Sequence, residues 1–553
     1  MSRQDAPPVS PTAVTFALTL LTVAAYGALA LAGFVWDDEP LVVRNTITGD
    51  WRNLPQMFTV DLWEVSSVGI NSGYFRPLML ISLTLDRALW GLSAAGHHLH
   101  SLAWHLAATM SLLSLLKKAA PPWSALAGAT VFALHPIQSE AVAFVAARND
   151  LMVATFTFLA ASLLWEERPS RGALLGGGLA AAAAALSKES GLFVGGLVLA
   201  LDLARFGRPR GWPRYLALGL AALFWIGLRT AAGIDPATTP DWSHWRFLFD
   251  RLPALGAHYT LKLLWPWPLT TGDTLEYLSP PLWKVVLGLG LGLGGVVALV
   301  IRGGRLALAG LAFAGLSFAP SLAAIALRGQ MGERYLYAPL GGVALALALS
   351  LRGRALWFAP AFALMSVLTL HQRLPDWQSG LELWASALGH EVNGYTQAAV
   401  AHELNNRGDG PRACSLFAAS LQDDPPYTTI CENALRCPLR YGYLDKAVEA
   451  VALSDAARCE QDDVILGLQG LIFAHVGRWD EAVARVEQGK NPADPTLNLV
   501  FAAAARQAGD EVGYTTRRAA AAGVSAEEFD EHAARLLDAA ARYNAPESAT
   551  ISP

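Results

Sequence analysis

The sequence predicts an all-α fold in two parts: a polytopic membrane body followed by a water-soluble helical repeat domain. Hydrophobic residues make up 53% of the 553 residues and charged residues only 16%, whereas soluble domains carry about 25% charged residues. Residues 1–391 have 27 Lys and Arg against 23 Asp and Glu, a net charge of +4, and residues 392–553 have 14 against 23, a net of −9. A glycine also recurs at a fixed interval in the second part. This composition excludes intrinsic disorder and a purely soluble enzyme.

The first part contains apolar segments long enough to cross a bilayer, which takes about 20 helical residues. Segment 246–268 is also apolar, but its charges and prolines fit an interfacial helix better. We therefore expect about eleven spans, near residues 12–34, 97–116, 123–135, 150–165, 172–187, 190–205, 213–231, 283–301, 305–327, 336–351 and 354–371.

Basic residues collect in the loops between alternate spans, all on one side, which the positive-inside rule makes cytoplasmic. The short N-terminal segment 1–10 lies on that side and does not resemble a cleaved signal. The loop 205–214 is basic enough to lie on anionic lipid, and we expect no nucleic-acid partner. An odd number of spans then places the first long loop, 35–96, and the tail, 392–553, on the extracytoplasmic face.

The tail has an internal period of 34 to 35 residues. Gly408, Gly442 and Gly477 recur in step with Ala413, Ala447 and Ala482. In each unit a glycine ends one helix, and a small residue lets the next helix pack closely. The pattern resembles the tetratricopeptide repeat, which predicts an α-solenoid that binds peptides. A generic alanine-rich helical domain is the alternative, and a degenerate fourth unit near Gly509 is expected to cap the stack.

All four cysteines lie in the tail, and an even number in an extracytoplasmic domain favours disulfides. Placed on the repeat, Cys414 and Cys437 fall at one end of the array, and Cys431 and Cys459 fall at the other. We therefore expect the pairs Cys414 with Cys437 and Cys431 with Cys459. No two cysteines have C-x-x-C spacing, which disfavours zinc.

Charged residues of both signs lie at the extracytoplasmic ends of the predicted spans. Three acids, Asp37, Asp38 and Glu39, directly follow the first span, where they are costly unless they are solvated or used. Charges converging at one membrane depth suggest a site that binds an anion and removes a proton. The other members are Arg76 in FRPL, His135 and Glu140 in HPIQSEAV, Arg148 and Asp150 in ARND, Lys188 and Glu189 in SKES, and Glu333, Arg334 and Tyr335 in GERYLY.

The order of WDDEPLVVRN, FRPL, HPIQSEAVAFVAARND, SKES and ERYLY, with repeats behind them, resembles the transmembrane and tetratricopeptide repeat-containing proteins and their bacterial relatives. These belong to the GT-C superfamily of polytopic glycosyltransferases. The resemblance runs from about Phe34 to about Pro495 and departs from the family at ARND, where a glycine and often a lysine are expected around the arginine. It implies a GT-C fold for residues 1–391, in a bacterial inner membrane with the repeats periplasmic.

The resemblance further implies that a sugar, mannose in eukaryotic members, moves from a polyprenyl phosphate to a Ser or Thr hydroxyl of a protein that the repeats recruit. A hydroxyl nucleophile needs a base, and a phosphate leaves without protonation, so one carboxylate suffices and the anomeric carbon is inverted. We expect Asp37 or Asp38 to be the base, with a preference for Asp38. Arg148, Lys188 and Arg334 are the expected phosphate ligands.

Supporting roles at the substrate are expected for a further set of residues, several of which have an ordinary structural alternative. His135 equally fits a local cap, and structural ion pairing fits Glu189 and Glu333 better than catalysis. Tyr335 fits a membrane anchor better than a sugar contact. The remaining members of this set are Arg76, Glu140 and Asp150.

We predict no metal and no cofactor, because three basic groups facing one phosphate make a divalent ion unnecessary. Three other functions remain open from the sequence. The same membrane enzyme could modify a lipid or a surface polysaccharide. The chain could be a transporter, although it has no pair of matching interrupted spans. It could also be a non-catalytic scaffold.

Overall fold

The computed structural model describes residues 11–235, 239–422 and 428–544. The expectation for the N-terminal segment 1–10 lies outside these residues. The chain divides into two compact units, Met1–Ser386 and Ala387–Pro553. The described residues are all-α and contain no strand; an isolated antiparallel bridge joins Thr274 and Gln330.

Thirteen α-helices lie within the described part of the first unit, and a fourteenth, α14, begins in it and ends in the second unit; short 3₁₀ turns lie between several of them. They are α1 Pro11–Tyr26, α2 Pro77–Trp90, α3 Ala94–Ala119, α4 Pro122–Leu134, α5 Ser139–Ala143, α6 Arg148–Leu164, α7 Arg171–Ser187, α8 Val194–Phe206, α9 Trp212–Ala231, α10 Trp242–Leu264, α11 Leu282–Arg328, α12 Tyr337–Ser350, α13 Phe358–Arg373 and α14 Gly380–His390.

Three segments of the described chain are long and apolar enough to cross a membrane: 94–119, 282–328 and 355–378. A fourth is added if the pair 136–143 and 145–164, bent by 99°, is one span. Several other apolar helices are shorter, because 3₁₀ turns interrupt them. The count of eleven spans therefore stays a prediction.

The long helix α11 contains the break that the sequence predicts between residues 301 and 305. Gly304 has a φ of +67° inside the helix, a left-handed conformation that glycine adopts without the steric penalty of a Cβ. The second half of α11 packs against α12 and the first half against α10. The end of α11 and the start of α12 are thereby held close together.

The segment 246–268, for which an interfacial helix was expected, is helical through most of its length as α10. Pro253 lies inside this helix without ending it. The loop that follows α10 is joined to the segment before α12 by backbone hydrogen bonds, from Leu275 to Gly329 and from Met331 to Asp273. These bonds hold the turn Glu333–Leu336 against its neighbours.

The second unit consists of helix pairs in its described part. The bounds are α15 Gly394–Asn406 with α16 Gly410–Ser420, α17 Thr428–Arg440 with α18 Leu444–Ala456, α19 Asp463–His475 with α20 Trp479–Val486, and α21 Pro495–Gln507 with α22 Glu511–Ala520, followed by α23 Ala526–Tyr543.

The repeated glycines and alanines have the positions that the period predicts. Gly408, Gly442 and Gly477 each follow the first helix of a pair with φ between +72° and +83°. Ala413, Ala447 and Ala482 are fully buried in the second helices. Gly509 has the same conformation, so a fourth pair follows where a degenerate unit was expected.

Both predicted disulfides are confirmed. Cys414 is bonded to Cys437, with Cα atoms 5.4 Å apart, and Cys431 is bonded to Cys459, with Cα atoms 6.0 Å apart. The first ties α16 to α17, and the second ties α17 to the residues after α18. The core of this unit is thus held by covalent links as well as by apolar packing.

Candidate active site

A cavity of about 450 Å³ in the first unit collects most of the predicted site residues. Its walls come from the loop after α1, the start of α6, the junction after α7, the end of α11 and the turn Glu333–Leu336. Five basic and three acidic side chains line it, an excess of two positive charges: Arg76, Lys188, Arg229, Arg328 and Arg334, with Asp37, Asp150 and Glu189.

Of the two candidate bases, Asp37 lies in the wall of this cavity and is half-buried. Burial raises the pKa of its carboxyl, and the charges of Arg334 and Arg328 oppose that rise. A carboxylate with a raised pKa is a stronger base. Asp37 therefore has both the access and the environment that a general base needs.

Asp38 is completely buried and is absent from the cavity lining. Its Oδ1 accepts a hydrogen bond from the backbone N–H of Ala146 at 2.7 Å, and its Oδ2 accepts one from Val35 at 3.2 Å. Burial raises the pKa of Asp38 to about 8, although these N–H groups favour its ionised form. The preference for Asp38 is corrected, because its carboxylate joins two segments of backbone and faces no open space.

The residue before the two aspartates has an unusual backbone conformation. Trp36 has a φ of +52°, a conformation that costs an ordinary residue about 1–2 kcal/mol. Its ring stacks on Phe144 with centroids 5.2 Å apart and meets Trp384 edge-on at 5.3 Å. Packing therefore holds a strained turn at the point where the chain enters the site.

Arg334 lies in the cavity wall inside a ring of aromatic side chains. Its guanidinium carbon is 5.2 Å from the centroid of Trp36, 5.5 Å from Phe144 and 5.1 Å from Tyr335. Glu140 accepts hydrogen bonds from the Arg334 guanidinium and from the backbone N–H of Glu333, the latter at 2.6 Å. Glu140 thus orients Arg334, and Tyr335 lines the cavity beside it.

Two further ion pairs line the cavity. Lys188 pairs with Asp150, and Arg76 pairs with Glu189 at 2.9 Å. Glu189 also accepts a hydrogen bond from the backbone N–H of Phe75 at 3.2 Å. The structural pairing expected for Glu189 is therefore present, but its partner is Arg76 rather than its sequence neighbour.

Arg148 is not in the cavity, which corrects its assignment to the donor phosphate. Its side chain is fully buried and forms an ion pair with Asp86, which is buried equally. Its other N–H groups donate to the hydroxyls of Ser82 and Ser101, at 3.1 Å each, and to the carbonyl of His97 at 2.8 Å. Four of the five N–H groups of this guanidinium have partners inside the protein, and the side chain does not line the cavity.

His135 and Glu333 also lie away from the cavity. His135 accepts at Nδ1 from the N–H of Ile137, at 3.2 Å, and its Nε2 is 2.9 Å from the carbonyl of Leu263. This is the local cap that was the alternative for His135. Glu333 pairs with Lys262 at 2.8 Å, a residue that sequence reasoning missed, and it does not pair with Arg334.

Two cavity arginines, Arg229 and Arg328, were also missed. Arg229 donates to the carbonyls of Gly73 and Asp235, at 2.8 and 3.1 Å. Arg328 is exposed, lies 6.0 Å from the centroid of Tyr74, and has no ion pair within the described residues. Both arginines end predicted spans on the extracytoplasmic side. Arginine on that side goes against the positive-inside rule, and this was the signal that could have found them.

Among residues 11–235, 239–422 and 428–544, no group of three or more His, Cys, Asp or Glu side chains has an arrangement that could hold a metal ion. The predictions of no metal and no cofactor remain predictions.

The chain is similar to several proteins named protein O-mannosyl-transferases. It is 28% identical over 191 residues to F38B6.6 of Caenorhabditis elegans, a match that covers 34% of this chain and 27% of that protein. It is 33% identical over 122 residues to Tmtc1 of Drosophila melanogaster, a match that covers 22% of this chain and 14% of that protein. It is 30% identical over 199 residues to human TMTC2, a match that covers 34% of this chain and 24% of that protein. These matches confirm the resemblance that the motifs predicted.

The matched regions span about a quarter or less of the length of these relatives. No family model matches the chain. Among solved structures, ArnT from Cupriavidus metallidurans bound to undecaprenyl phosphate aligns with a TM-score of 0.40 at 14% identity, over 84% of this chain and 80% of that one. The arabinofuranosyltransferase AftD from Mycobacteria aligns with a TM-score of 0.38 at 17% identity, over 74% of this chain and 30% of that one.

Proposed function

We propose that the protein is a GT-C type membrane glycosyltransferase. It transfers a mannose-like sugar from a polyprenyl phosphate to a Ser or Thr hydroxyl of an extracytoplasmic protein. The names of the sequence relatives support sugar transfer to protein. The observation that carries the proposal is the carboxylate of Asp37 in a cavity lined by an excess of basic residues.

Asp37 is the general base in this mechanism. It takes the proton of the acceptor hydroxyl as the hydroxyl oxygen attacks the anomeric carbon of the sugar. The new C–O bond forms as the bond between that carbon and the phosphate oxygen breaks, so the configuration is inverted. The phosphate leaves as an anion and needs no acid, which is why one carboxylate suffices.

The basic lining stabilises the leaving phosphate. A sugar phosphodiester carries one negative charge, and the polyprenyl monophosphate that leaves carries close to two, so charge grows along the reaction. Fixed cations interact more strongly with this developing charge than with the donor, and that difference lowers the barrier. Arg334 and Lys188 keep their proposed roles as phosphate ligands, and Arg328 takes the place of Arg148.

Each of the three cations offers the phosphate a different kind of contact. Arg334 is held by Glu140 and three aromatic rings, so it is preorganised. Lys188 is a compact charge, and its ammonium group already pairs with the carboxylate of Asp150. Arg328 is exposed and without an acidic partner in the described chain, so its guanidinium is free to accept an incoming anion in a bidentate geometry.

The proposal is tested by transfer of radiolabelled mannose from a polyprenyl phosphate to a Ser/Thr peptide by the purified protein. Asp37→Asn removes the base and keeps the side-chain volume. We expect its kcat to fall by about 10²- to 10⁴-fold, the range for loss of a general base. The matched control is Glu39→Gln, because Glu39 neighbours the site but pairs with the exposed Arg44. Wild-type kcat in a folded Asp37→Asn protein would contradict the assignment.

A further inference from the structure

A second pocket, of about 440 Å³, lies in the helical repeat unit between the first helices of three successive pairs. No acidic side chain is among its described lining residues. The pocket combines basic and amide groups with an apolar floor, and its lining consists of Asn405, Phe417, Asn433, Arg436, Cys437, Leu439, Arg440, Leu468 and Leu471.

The basic groups of the pocket are Arg436 and Arg440, both exposed and four residues apart on α17. Side chains at this spacing are neighbours on a helix surface, and like charges there repel each other. Arg436 is partly neutralised by Glu432, whose Oε1 accepts from Nε at 2.7 Å. The guanidinium carbon of Arg440 is 5.9 Å from the centroid of the Tyr441 ring, and Arg440 has no acidic partner in the described part of the chain. An anion between the two arginines would relieve the repulsion.

The amide groups add donors beside these charges. Asn405 accepts the hydroxyl of Tyr441 at its Oδ1, at 3.1 Å, so its side-chain nitrogen remains to donate. Asn433 lies one turn before Arg436 on the same helix face. Guanidinium and amide N–H groups around one opening are the donor set that binds carboxylates.

The surroundings of the pocket argue for a peptide as the source of those carboxylates. Residues 392–553 have a net charge of −9, so an anionic membrane surface repels the unit as a whole. The lining that a narrow acidic segment would enter has two arginines and no acidic residue among its described members. Phe417, Leu468 and Leu471 provide apolar surface for the apolar atoms of that segment. The disulfide from Cys437 to Cys414 fixes one wall.

We propose that this pocket binds an acidic polypeptide segment, with a carboxylate at Arg440. The inference rests on the proposed function only in treating that segment as part of the acceptor protein. It adds the chemistry of the acceptor that the repeat unit recruits, namely a segment rich in Asp and Glu.

The experiment measures binding of a fluorescein-labelled 12-residue peptide of Glu and Ala by anisotropy. The full chain is held in phosphatidylcholine nanodiscs without donor. Arg440→Ala is expected to weaken binding about tenfold, since a charge-assisted hydrogen bond is lost. The matched control is Arg412→Ala, because Arg412 is exposed on α16 outside the pocket and pairs with Asp409. We expect that variant to bind within about twofold of wild type, the change typical of a surface ion pair.

The same peptide with Gln in place of Glu is expected to bind at least about tenfold more weakly than the acidic one, and added salt is expected to weaken the acidic peptide further. Equal binding of the two peptides, or unchanged binding by Arg440→Ala, overturns the proposal. So does binding to phosphatidylserine vesicles that depends on Arg440 when the acidic peptide does not bind.

Failure of this proposal can be told apart from failure of the proposed function. Asp37→Asn is expected to bind the acidic peptide as wild type does while losing transfer. Arg440→Ala is expected to keep the kcat for a short uncharged Ser/Thr peptide. For wild type, adding an acidic extension to this peptide is expected to lower the KM. Arg440→Ala is expected to show no such difference in KM between the two peptides.

Discussion

At the scale of single residues, the neighbouring aspartates of the first loop have separate roles. Asp37 faces a cavity with Arg334 and Arg328, and Asp38 accepts two backbone N–H groups in the interior. Both aspartates follow the turn at Trp36, which is packed against Phe144. Two adjacent carboxylates can therefore differ in role, because that of Asp37 borders a cavity and that of Asp38 is enclosed in the interior.

The pH dependence of transfer is expected to report the charge of Arg328. Asp37 acts as a base only when ionised, so activity falls below its pKa. The guanidinium of Arg328 lowers that pKa, and Arg328→Gln removes this effect. In the pH profile of kcat/KM, we expect the fall in activity on the acid side to occur at higher pH than in wild type. We also expect the KM for the donor to rise.

Arg328→Lys is the matched variant, since it keeps the charge and loses the bidentate geometry. Its acid limb is expected to stay near that of wild type while its donor affinity falls. An Arg328→Gln enzyme with an unchanged acid limb and an unchanged donor KM would remove Arg328 from the site.

Arg148 is expected to act on stability and not on donor binding. Arg148→Met removes the ion-pair partner of the buried Asp86 carboxylate, which keeps its contact with His100, and breaking a buried ion pair costs about 3–5 kcal/mol. We therefore expect a lower melting temperature in detergent and normal donor affinity in the folded fraction. The double variant Arg148→Met/Asp86→Leu is expected to recover part of the loss, because it removes both charges. Weakened donor binding at wild-type stability would restore Arg148 as a phosphate ligand.

At the scale of elements, close contact between α11 and α12 positions the basic wall of the cavity. A Cβ added to Gly342 would come within 2.3 Å of the carbonyl oxygen of Gly310, and one added to Gly310 within 2.6 Å of the carbonyl of Gly342. Small residues allow this approach between helix backbones. Arg328 ends α11 and Arg334 lies just before α12, so we expect this contact to influence where two proposed phosphate ligands lie.

Gly342→Ala is expected to separate the two helices, because the clash is with backbone that cannot rotate away. The expected cost is about 1–3 kcal/mol of stability, as for other overpacked sites, together with a lower kcat. The control is Gly315→Ala on α11, where an added Cβ meets nothing within 4 Å. Melting temperature and transfer rate measure both effects. Equal behaviour of the two variants would show that the contact between α11 and α12 does not control the site.

At the scale of the whole molecule, the distribution of charge predicts the orientation in the membrane. The basic loops between alternate predicted spans favour a cytoplasmic location. The two disulfides require an oxidising compartment for the repeat unit. Both considerations predict that the repeat unit lies on the extracytoplasmic side, which is the side that the proposed function requires for the donor and the acceptor.

This orientation is tested with alkaline phosphatase, which is active only after export. A fusion at the C-terminus of the chain is expected to be active, and a fusion within residues 207–211, between α8 and α9, is expected to be inactive. Fluorescent-protein fusions at the same two positions serve as the control and should give the opposite pattern. An active fusion in the loop between α8 and α9 would reverse the orientation.

The sequence was sufficient for features set by local pattern. A period of 34 to 35 residues predicted where glycines end helices in the repeat unit, and the register of that period also predicted both disulfides. The apolar composition predicted an all-α body, and the broken segment at Gly304 was visible as a pair of arginines between apolar runs. Each of these depends on residues close in the chain or on a repeated unit.

Tertiary structure alone decided which charged residues share the cavity. The motifs identified Asp37, Asp38, Arg148 and Arg334 as site residues, with a preference for Asp38 as the base, because each lies at the end of an apolar segment. Three-dimensional packing turned Asp37 and Arg334 toward the cavity, enclosed Asp38 with the N–H groups of Val35 and Ala146, and paired Arg148 with Asp86. The physical reason is that the role of a charge depends on its partners and its access to solvent. Those partners come from segments far apart in the sequence.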